Sequence, residues 1–597
     1  MHILTLKMVF NGGNNIMRVN NKAQKFFYTV NLRKWAGLTA MLGSAVLAAG
    51  PSAALAADVT FERLLNPEPH NWLMVHRDYT AQRHSTLDQI NKSNIKNMKL
   101  QFAVAIGGTS PNEGLQVTPL VDNGFMYVID GWGVVYKIDV RSGNHGRILW
   151  KMDPGMKRYG RIRGVALWGN LVISPTGKDG RIIATDSETG KIVWDKNLSD
   201  HPELELSAAP LALKDDIIIG GSGGDQGTRN WIASLDPKTG DLKWKTYTIP
   251  APGEPGSETW KDKNEAWKTG GGAFYVTGSY DPATNLTIWG SGNPVPGYDA
   301  TRRPGDNLFT ASAIGFDVAT GKMKWYFQYT PNDNRDYDET GTHVLIDTKI
   351  DGQDRKAVTH AGRNGFNYTF DRTTGQFLKV GQYVAKVTWT KGIDPKTGKP
   401  VDYDPTKDLQ LYAEPPSAIQ NKGTRTVCPE ISGGSNLWPA AYSPKTRLFY
   451  IPSLEGCSDI TSDHAAHVPG KFAGGSYTLT DRLTSSIVVV DPATGQQKAR
   501  KELPYPNTAG ALSTAGGVLI TALTDGTVMA LDDQTLEEVW RFNAGSGFNA
   551  PPMTYSVNGK QYIAIASGLG RSARNKLSKS PEMRTASQAT MIFVFGL

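Results

Sequence analysis

The stretches YKIDVRSGNHGRILW (136–150), IIATDSETGKIVW (182–194), ASLDPKTGDLKW (233–244), GFDVATGKMKW (315–325) and MALDDQTLEEVW (529–540) share one pattern. An alternating apolar run leads to an aspartate, a polar turn follows, and a second run ends on tryptophan. YTFDRTTGQFL (368–378) and VVVDPATGQQKA (488–499) keep the Asp-x-x-Thr-Gly core without the tryptophan. The aspartate can cap the turn and the glycine can take positive φ, so the second strand returns antiparallel. Each stretch is therefore predicted to be a β-hairpin.

The spacing of these hairpins predicts the architecture. The motif aspartates are separated by 47, 50, 81, 54, 120 and 41 residues, a basic period with long insertions in two gaps. AYSPKTRLFYIP (441–452) is interpreted as a degenerate copy within the longest gap. Four-stranded units repeated about eight times at this period are typical of a β-propeller. We therefore predict an all-β fold, an eight-bladed β-propeller with tryptophan-docking-like repeats, as a single domain over 57–597; unrelated β-sandwiches are the disfavoured alternative.

The segment 1–56 is predicted to be a secretory signal peptide. It holds six basic residues and no acidic one, an uncharged stretch at 35–50, and the small-x-small sequence Ala54-Leu55-Ala56 before the expected cleavage point. Met17 or Met8 can be the true start. The alternative is a membrane anchor, but the uncharged stretch is shorter than the roughly 20 residues that span a bilayer. We expect export to the periplasm and no membrane span in the mature form.

The charge of the chain argues against nucleic-acid binding. Lys plus Arg number 64 and Asp plus Glu 56, a formal net charge of +8. Removing the six charges of the leader leaves 8 − 6 = +2 for the remainder. A basic surface of the kind that binds phosphate backbones is therefore not indicated.

Cysteine is scarce. Cys428 and Cys457 are the two in the sequence, and in an exported chain they can form one disulfide or remain two buried thiols. No C-x-x-C-H motif occurs, so no c-type haem is expected on this chain.

The segment DNRDYDE (333–339) carries a candidate metal site. If the segment is extended, Asp336 and Asp338 face the same way, and two like charges repel unless a cation lies between them. A solvated acidic loop is the alternative when these residues are considered alone.

The repeats together with further motifs resemble the pyrroloquinoline quinone (PQQ) dehydrogenases over nearly the whole mature chain. These motifs are NWLMVHRDYTAQRHSTLDQIN (71–91), TGGGAFYVTGSYDPATN (269–285), WGSGNPVPG (289–297), RRPGDN (302–307), GRNGFNYTFDRTTG (362–375) and GGSNLWPAAYSP (433–444). The resemblance implies an eight-bladed propeller that binds PQQ and a metal ion on its axis and oxidises alcohols. It also matches Cys428 and Cys457 to a long-range disulfide of some relatives.

The resemblance implies a ligand set for the metal. Asp336 matches the catalytic base and metal ligand, Asn293 the amide ligand, and Asp338 the additional carboxylate of the lanthanide-using branch. Asp225 stands where most relatives have the longer Glu. An added carboxylate suits a trivalent ion, so we favour a lanthanide(III) over Ca²⁺.

The resemblance also assigns residues to PQQ, a planar tricarboxylate. Arg363 matches the arginine at the reacting quinone oxygens, and Tyr275 occupies the position of the tryptophan that forms the cofactor floor. The other matched positions are Gln116, Arg163, Ser207, Ser222, Gly223, Gly224 and Asn436.

Departures from the family concern the roof and mouth of the site. The adjacent cysteine pair that covers PQQ is absent, and Lys157 and Arg158 stand about where it is expected. Thr508 replaces a usual tryptophan, Arg571 lies near another, and Trp438 is displaced by one position. Fewer bulky rings predict a wider mouth and a substrate larger than methanol or ethanol: a secondary, polycyclic or polymer alcohol.

The implied reaction is hydride transfer from the alcohol to PQQ, with Asp336 taking the hydroxyl proton, Arg363 stabilising the quinone oxygen and the metal acting as Lewis acid. Electrons are expected to pass to an external, soluble cytochrome c. The protein is expected to be a monomer or a homodimer. A PQQ-dependent sugar or aldehyde dehydrogenase and a non-catalytic propeller scaffold are the alternatives.

Overall fold

Strands dominate the computed structural model, which describes residues 58–107, 113–415, 423–465, 468, 470–472, 474–583 and 588–597. The predicted leader lies outside these residues. The described chain begins with helix α1 (Phe61–Leu65), strand β1 (His84–Ser85) and strand β2 (Lys99–Ala105), and a second short helix, α2 (Gly570–Asn575), lies near its end. Single 3-10 turns occupy Ile95–Asn97, Gly224–Gln226, Ser257–Thr259, Ala266–Thr269, Ala300–Arg302 and Pro581–Met583.

The first five blades are runs of four consecutive antiparallel strands. Blade 1 has β3 (Leu120–Asp122), β4 (Phe125–Ile129), β5 (Val135–Asp139) and β6 (Arg147–Met152), and blade 2 has β7 (Ala166–Trp168), β8 (Leu171–Pro175), β9 (Arg181–Asp186) and β10 (Ile192–Asn197). Blade 3 has β11 (Leu211–Ala212), β12 (Ile217–Gly220), β13 (Trp231–Leu235) and β14 (Leu242–Tyr247), and blade 4 has β15 (Ser279–Asp281), β16 (Leu286–Gly290), β17 (Ser312–Asp317) and β18 (Met323–Gln328). Blade 5 has β19 (Val344–Ile350), β20 (Gln353–Ala361), β21 (Phe366–Asp371) and β22 (Phe377–Gln382).

Three further blades complete the ring. Blade 6 has β24 (Ala441–Ser443), β25 (Leu448–Glu455), β28 (Thr484–Asp491) and β29 (Gln496–Leu503); blade 7 has β30 (Ala511–Thr514), β31 (Val518–Ala522), β32 (Thr527–Asp532) and β33 (Glu538–Asn543); blade 8 has β34 (Met553–Val557), β35 (Lys560–Ala566) and β36 (Met591–Gly596), with β2 from the start of the chain as its fourth strand. Strands β2 and β36 pair antiparallel, from Lys99 opposite Gly596 to Ala105 opposite Met591. β1 adds a parallel edge to blade 7, and β23 (Thr424–Val427), β26 (Ser458–Ser462) and β27 (Gly475–Leu479) form a separate inserted sheet. The eight-bladed all-β prediction is confirmed for the described residues.

The Asp-x-x-Thr-Gly motif joins the third and fourth strands of a blade, and the tryptophan after it contacts the next blade. In blade 5 the Asp371 carboxylate accepts hydrogen bonds from the backbone N–H groups of Thr373 and Thr374, and Gly375 has a φ of 72°. A Cβ on Gly375 would lie 2.6 Å from the ring of Trp325, which belongs to blade 4. The same tryptophan donates from Nε1 to the carbonyl oxygen of Arg372 at 3.1 Å. The repeated turn therefore serves two purposes, since it closes its own hairpin and receives the neighbouring blade.

The segment 441–452 is not a degenerate copy of this hairpin, contrary to the prediction. Its turn joins β24 to β25, the first and second strands of blade 6, while the motif at 488–499 forms the third and fourth strands. The 120-residue gap in the sequence therefore contains part of one blade and the inserted sheet. Blade 8 has no motif because its third and fourth strands come from opposite ends of the chain.

The order of strands within a blade decides where the site forms. First strands of neighbouring blades contact one another, as β15 does with β19 and β24 with β30, which makes them the inner strands. Second and third strands such as β8 and β13 are buried along their length, whereas fourth strands alternate with solvent. Because neighbours within a blade are antiparallel, the start of the first strand and the end of the second lie at the same end of the blade. Side chains in these two connections from several blades therefore meet at one end of the ring.

Candidate active site

A cavity of about 120 Å³ lies where these connections meet. The segments that precede the first strand of a blade contribute Gln116, Arg163, Ser207, Tyr275, Asp336, Asp338 and Asn436. The segments that follow the second strand of a blade contribute Ser222, Gly223, Gly224, Asp225, Asn293 and Arg363. All the residues that the sequence assigned to the cofactor or the metal line this one cavity. Antiparallel blade geometry accounts for their convergence from distant parts of the chain.

Asp336 and Asp338 reach the cavity by a different backbone from the one predicted. Asp336 has a φ of 66°, in the left-handed region, so the segment is not extended and the same-face alternation of a strand does not apply. Both carboxylates still line the cavity because the left-handed residue turns the chain between them. The interpretation of DNRDYDE as an extended strand was wrong, whereas the convergence of its two carboxylates is present.

The carboxylates of the cavity interact strongly with one another. Burial, followed by the negative charge of Asp338, raises the pKa of Asp225 to about 6. Burial and the charge of Asp225 raise the pKa of Asp336 well above its ordinary value, and Asp336 Oδ1 has no hydrogen-bond partner among the described residues. A buried carboxylate oxygen without a donor is costly unless a proton or a cation satisfies it.

Asp338 is held by three donors. Its Oδ1 accepts from the backbone N–H of Asn293 at 2.8 Å, and its Oδ2 accepts from the Tyr275 hydroxyl at 2.8 Å and from Arg363 Nη1. The same Arg363 nitrogen also donates to the backbone oxygen of Asp336. One arginine thus connects both acidic residues of the motif.

The donor set fits a hard cation. Three carboxylates, those of Asp225, Asp336 and Asp338, line the cavity with the Asn293 side chain, and oxygen donors of this kind suit Ca²⁺ and trivalent ions. Among the described residues, no three His, Cys, Asp or Glu side chains are close enough together to hold a metal unaided. The amide of Asn293 and oxygens of a bound cofactor would therefore have to complete the coordination. Such an ion would compensate for the burial of Asp336 Oδ1, which has no hydrogen-bond partner among the described residues.

The opposite wall supplies cations and hydroxyls. Arg163 Nη1 donates to Ser207 Oγ at 2.8 Å, Ser207 Oγ donates to Ser222 Oγ at 2.9 Å, and Arg163 Nε has no partner among the described residues. Burial lowers the pKa of Arg163 to about 10, so the guanidinium stays charged at neutral pH. Its carbon lies 4.8 Å from the centroid of the Tyr275 ring. The unused donor and the fixed charge suit a planar anion such as a quinone carboxylate.

Several lining residues were not predicted from the sequence. They are Arg161, Glu205, Gln226, Ala273, Ser432, Leu437, Asn549, Ser572, Ala573 and Lys576. Lys157 and Arg158, expected near the cofactor, are exposed and do not line the cavity, and Arg161 takes their place. Arg161 lies two residues before the motif arginine Arg163, which is the one signal that could have found it.

The residues named for the mouth of the site lie in different places. Arg571 is exposed on α2 and does not line the cavity, whereas Ser572 and Ala573 beside it do. Thr508 lines a second cavity of about 30 Å³, which shares Gln116 and Arg163 with the first. Trp438 lines both cavities and donates from its indole nitrogen to the carbonyl oxygen of Pro452 at 3.2 Å.

The two cysteines form a disulfide, as one of the two sequence-based alternatives and the resemblance predicted. Cys428 and Cys457 are bonded to each other, 29 residues apart in sequence. The bond joins the ends of β23 and β25, next to the segment that carries Ser432 to the cavity.

Comparisons with known proteins agree with the predicted fold and family. The family model described as "PQQ: Glucose/ethanol/alcohol dehydrogenase, beta-propeller domain" matches residues 72–380 and 486–563. The chain is 35% identical over 557 residues to quinoprotein alcohol dehydrogenase PedH of Pseudomonas putida, covering 88% of this chain and 91% of that protein. It is 34% identical over 588 residues to the quinohemoprotein alcohol dehydrogenase of Comamonas testosteroni, covering 90% and 80%. A europium-containing methanol dehydrogenase structure superposes with a TM-score of 0.81 at 28% identity, covering 90% of this chain and all of that one.

No helix in the described part of the chain is long and apolar enough to cross a membrane.

Proposed function

The chain belongs to the PQQ-dependent (quinoprotein) alcohol dehydrogenases, and from this premise we propose that it oxidises a bulky alcohol in the periplasm with Asp336 as base. Family membership makes it an oxidoreductase that acts on alcohols and sets aside the non-catalytic scaffold. The observation that carries the proposal for Asp336 is its buried Oδ1, which lines the cavity without a hydrogen-bond donor.

The proposed roles follow from the chemistry of each wall. Arg163, Ser207, Ser222, Gln116 and Asn436 would hold PQQ, and Asp225, Asn293, Asp336 and Asp338 would hold the metal ion. When bound, PQQ supplies the two-electron acceptor and the metal the positive charge that polarises it.

The chain's own residues control the proton and the orientation of the substrate. A carboxylate whose pKa is raised by burial and by a neighbouring carboxylate binds protons more readily, so Asp336 is suited to take the hydroxyl proton of the alcohol. Arg363, with Nε unpartnered among the described residues, can present an N–H to an oxygen on which negative charge develops. Asp336 and Arg363 are each 7% exposed, and the low polarity around buried groups strengthens both interactions.

We propose a lanthanide(III) as the metal. The support is the presence of three aspartates, Asp225, Asp336 and Asp338, in the wall of one cavity, together with the likeness to a solved methanol dehydrogenase that contains europium. Asp225 is one methylene shorter than a glutamate, and this reduces its reach toward an ion.

The electron acceptor is proposed to be a soluble cytochrome c. Three of the relatives are named quinohemoproteins, and this sequence carries no C-x-x-C-H motif for a haem of its own. The predicted signal peptide supports a periplasmic location, where such cytochromes occur.

A substrate bulkier than methanol is supported by the small side chains Ser572, Ala573 and Ser432 in the cavity wall. The test is reconstitution of the apo-protein with PQQ and either Ca²⁺ or La³⁺, followed by dye-reduction assays with methanol, ethanol, secondary alcohols, polyvinyl alcohol, aldehydes and glucose. Faster turnover of secondary or polymer alcohols with La³⁺ is expected. A strong preference for methanol or ethanol would refute the proposal of a bulky substrate. Activity with Ca²⁺ but not with La³⁺ would refute the proposal of a lanthanide(III) ion.

A further inference from the structure

One buried cation of the cavity has no part in the function proposed above. Lys576 directly follows α2, in the connection between β35 and β36, and lines the cavity together with Asp336 and Arg363. The residue is 8% exposed. Burial lowers its pKa, and the charges of Glu430, Arg363 and Asp336 also act on that pKa. The ammonium therefore shares the cavity with the proposed base Asp336.

The partners of Lys576 leave part of its hydrogen-bonding capacity unused. Nζ donates to Ser432 Oγ, and the ring centroid of Trp438 is 5.6 Å away. Nζ also forms an ion pair with Glu430 Oε1 at 3.6 Å. An ammonium carries three N–H donors, and within the described chain Ser432 and Glu430 engage two of them. One donor remains for a ligand in the cavity.

The charge of this group favours an uncharged ligand. Glu430 is 1% exposed, and its Oε2 accepts from the backbone N–H of Ser432 at 2.9 Å. The negative charge of Glu430 offsets the positive charge of Lys576, so together they do not attract a further anion. What remains attractive is the directional N–H, which needs a hydroxyl, carbonyl or ether oxygen as acceptor.

We propose that Lys576 and Ser432 form a subsite for a second, uncharged oxygen of the alcohol substrate, so that diols, polyols and hydroxyketones are preferred over simple alcohols. The inference rests on the proposed function, because it needs the reacting hydroxyl at Asp336. A simple alcohol would leave a buried donor without an acceptor, and sites built to bind an oxygen discriminate against analogues that lack it. We expect kcat/KM to favour the diol by at least about tenfold.

The experiment compares 2-pentanol with 2,4-pentanediol by dye reduction, using the holoenzyme loaded with PQQ and La³⁺. Lys576→Met keeps the length of the side chain and removes its donors, and Lys579→Met changes an exposed lysine three residues further along. The diol preference is expected in the wild type and in Lys579→Met and should fall toward one in Lys576→Met. If the wild type is active but its kcat/KM for the diol is close to that for 2-pentanol, the inference is wrong and the proposed function is unaffected. No activity toward either alcohol would overturn the proposed function, and the inference with it.

Two further measurements separate other roles of Lys576. If 3-hydroxybutyrate is oxidised faster than the diol by the wild type and this preference is lost in Lys576→Met, the subsite takes an anion and the inference is wrong. Absorbance titration of apo-protein with PQQ reports cofactor binding without turnover. A tenfold weaker PQQ affinity in Lys576→Met with an unchanged diol ratio would make Lys576 a cofactor residue and would equally overturn the inference.

Discussion

Replacing His76 by methionine is expected to make the protein less sensitive to acid. His76 is 8% exposed and lines the smaller cavity next to the site, and neither of its ring nitrogens has a hydrogen-bond partner in the described structure. Burial, followed by the positive charge of Arg83, lowers the pKa of His76 from 6.5 to about 3. Below pH 6.5 His76 is protonated in the unfolded chain but remains neutral in the folded protein until the pH approaches 3. The stability supplied by the neutral histidine is therefore complete above pH 6.5 and is lost progressively as the pH falls to about 3.

The size of the effect follows from these two pKa values. At pH 5 the unfolded state gains about 2 kcal/mol from protonation of His76, and at pH 7 about 0.2 kcal/mol. Between pH 7 and pH 5 the wild type should therefore lose about 2 kcal/mol more of its free energy of unfolding than His76→Met does.

Guanidinium denaturation of the holoenzyme at both pH values measures this difference. Other titrating groups are common to the two proteins and cancel in the comparison. His145→Gln, which changes an exposed histidine in a turn, is expected to behave as the wild type. Equal losses in wild type and His76→Met, within about 0.5 kcal/mol, would mean that His76 is protonated in the folded state and would refute the reasoning.

Four other changes give distinct outcomes. Trp325→Ala removes the ring that covers the turn of the next blade, and guanidinium denaturation should show a loss of about 3–5 kcal/mol; a loss below 1 kcal/mol would show that blade docking does not depend on that ring. Asp336→Asn should lower kcat by about 10²–10⁴-fold in dye-reduction assays while the absorbance of bound PQQ is retained, and wild-type turnover would exclude Asp336 as the base. Asp338→Ala should abolish La³⁺-dependent activity before any Ca²⁺-dependent activity, and a full La³⁺ response would remove Asp338 from the ligand set. Replacing Cys428 and Cys457 by serine should cost about 3–4 kcal/mol of unfolding free energy, since the bond closes a loop of about 30 residues, and unchanged stability would contradict this loop-entropy argument.

Local features of the fold could be predicted because their physics is local. A turn aspartate, a turn glycine and a tryptophan recur with fixed spacing, and in the structure each has the role that its chemistry indicates, as Asp371, Gly375 and Trp325 show. The prediction that 441–452 is a copy of the hairpin was wrong because a polar turn between two apolar runs does not indicate which pair of strands it joins. Blade 8 carries no motif, since its fourth strand is β2 and its other three strands come from the opposite end of the described chain.

The site was predictable where family motifs marked it. The motif residues converge as expected, but the left-handed backbone of Asp336 could not be read from DNRDYDE because a non-glycine residue rarely adopts it. Lys576 and Ser432 were missed for another reason. They meet across 144 residues of sequence, in connections that have neither periodicity nor motif, and only the three-dimensional arrangement of blades brings them together.

The pairing of β2 with β36 has a consequence for the order of folding and cofactor binding. Strand β36 is the third strand of blade 8 and pairs with β2, so the ring cannot close before the segment Met591–Gly596 has been synthesised. A chain that stops before Met591 would leave blade 8 with β34 and β35 only, and β2 would have no partner. The cavity takes its walls from connections all around the ring, so it is complete only after that closure. Acquisition of the cofactor and the metal would then follow the pairing of β2 with β36.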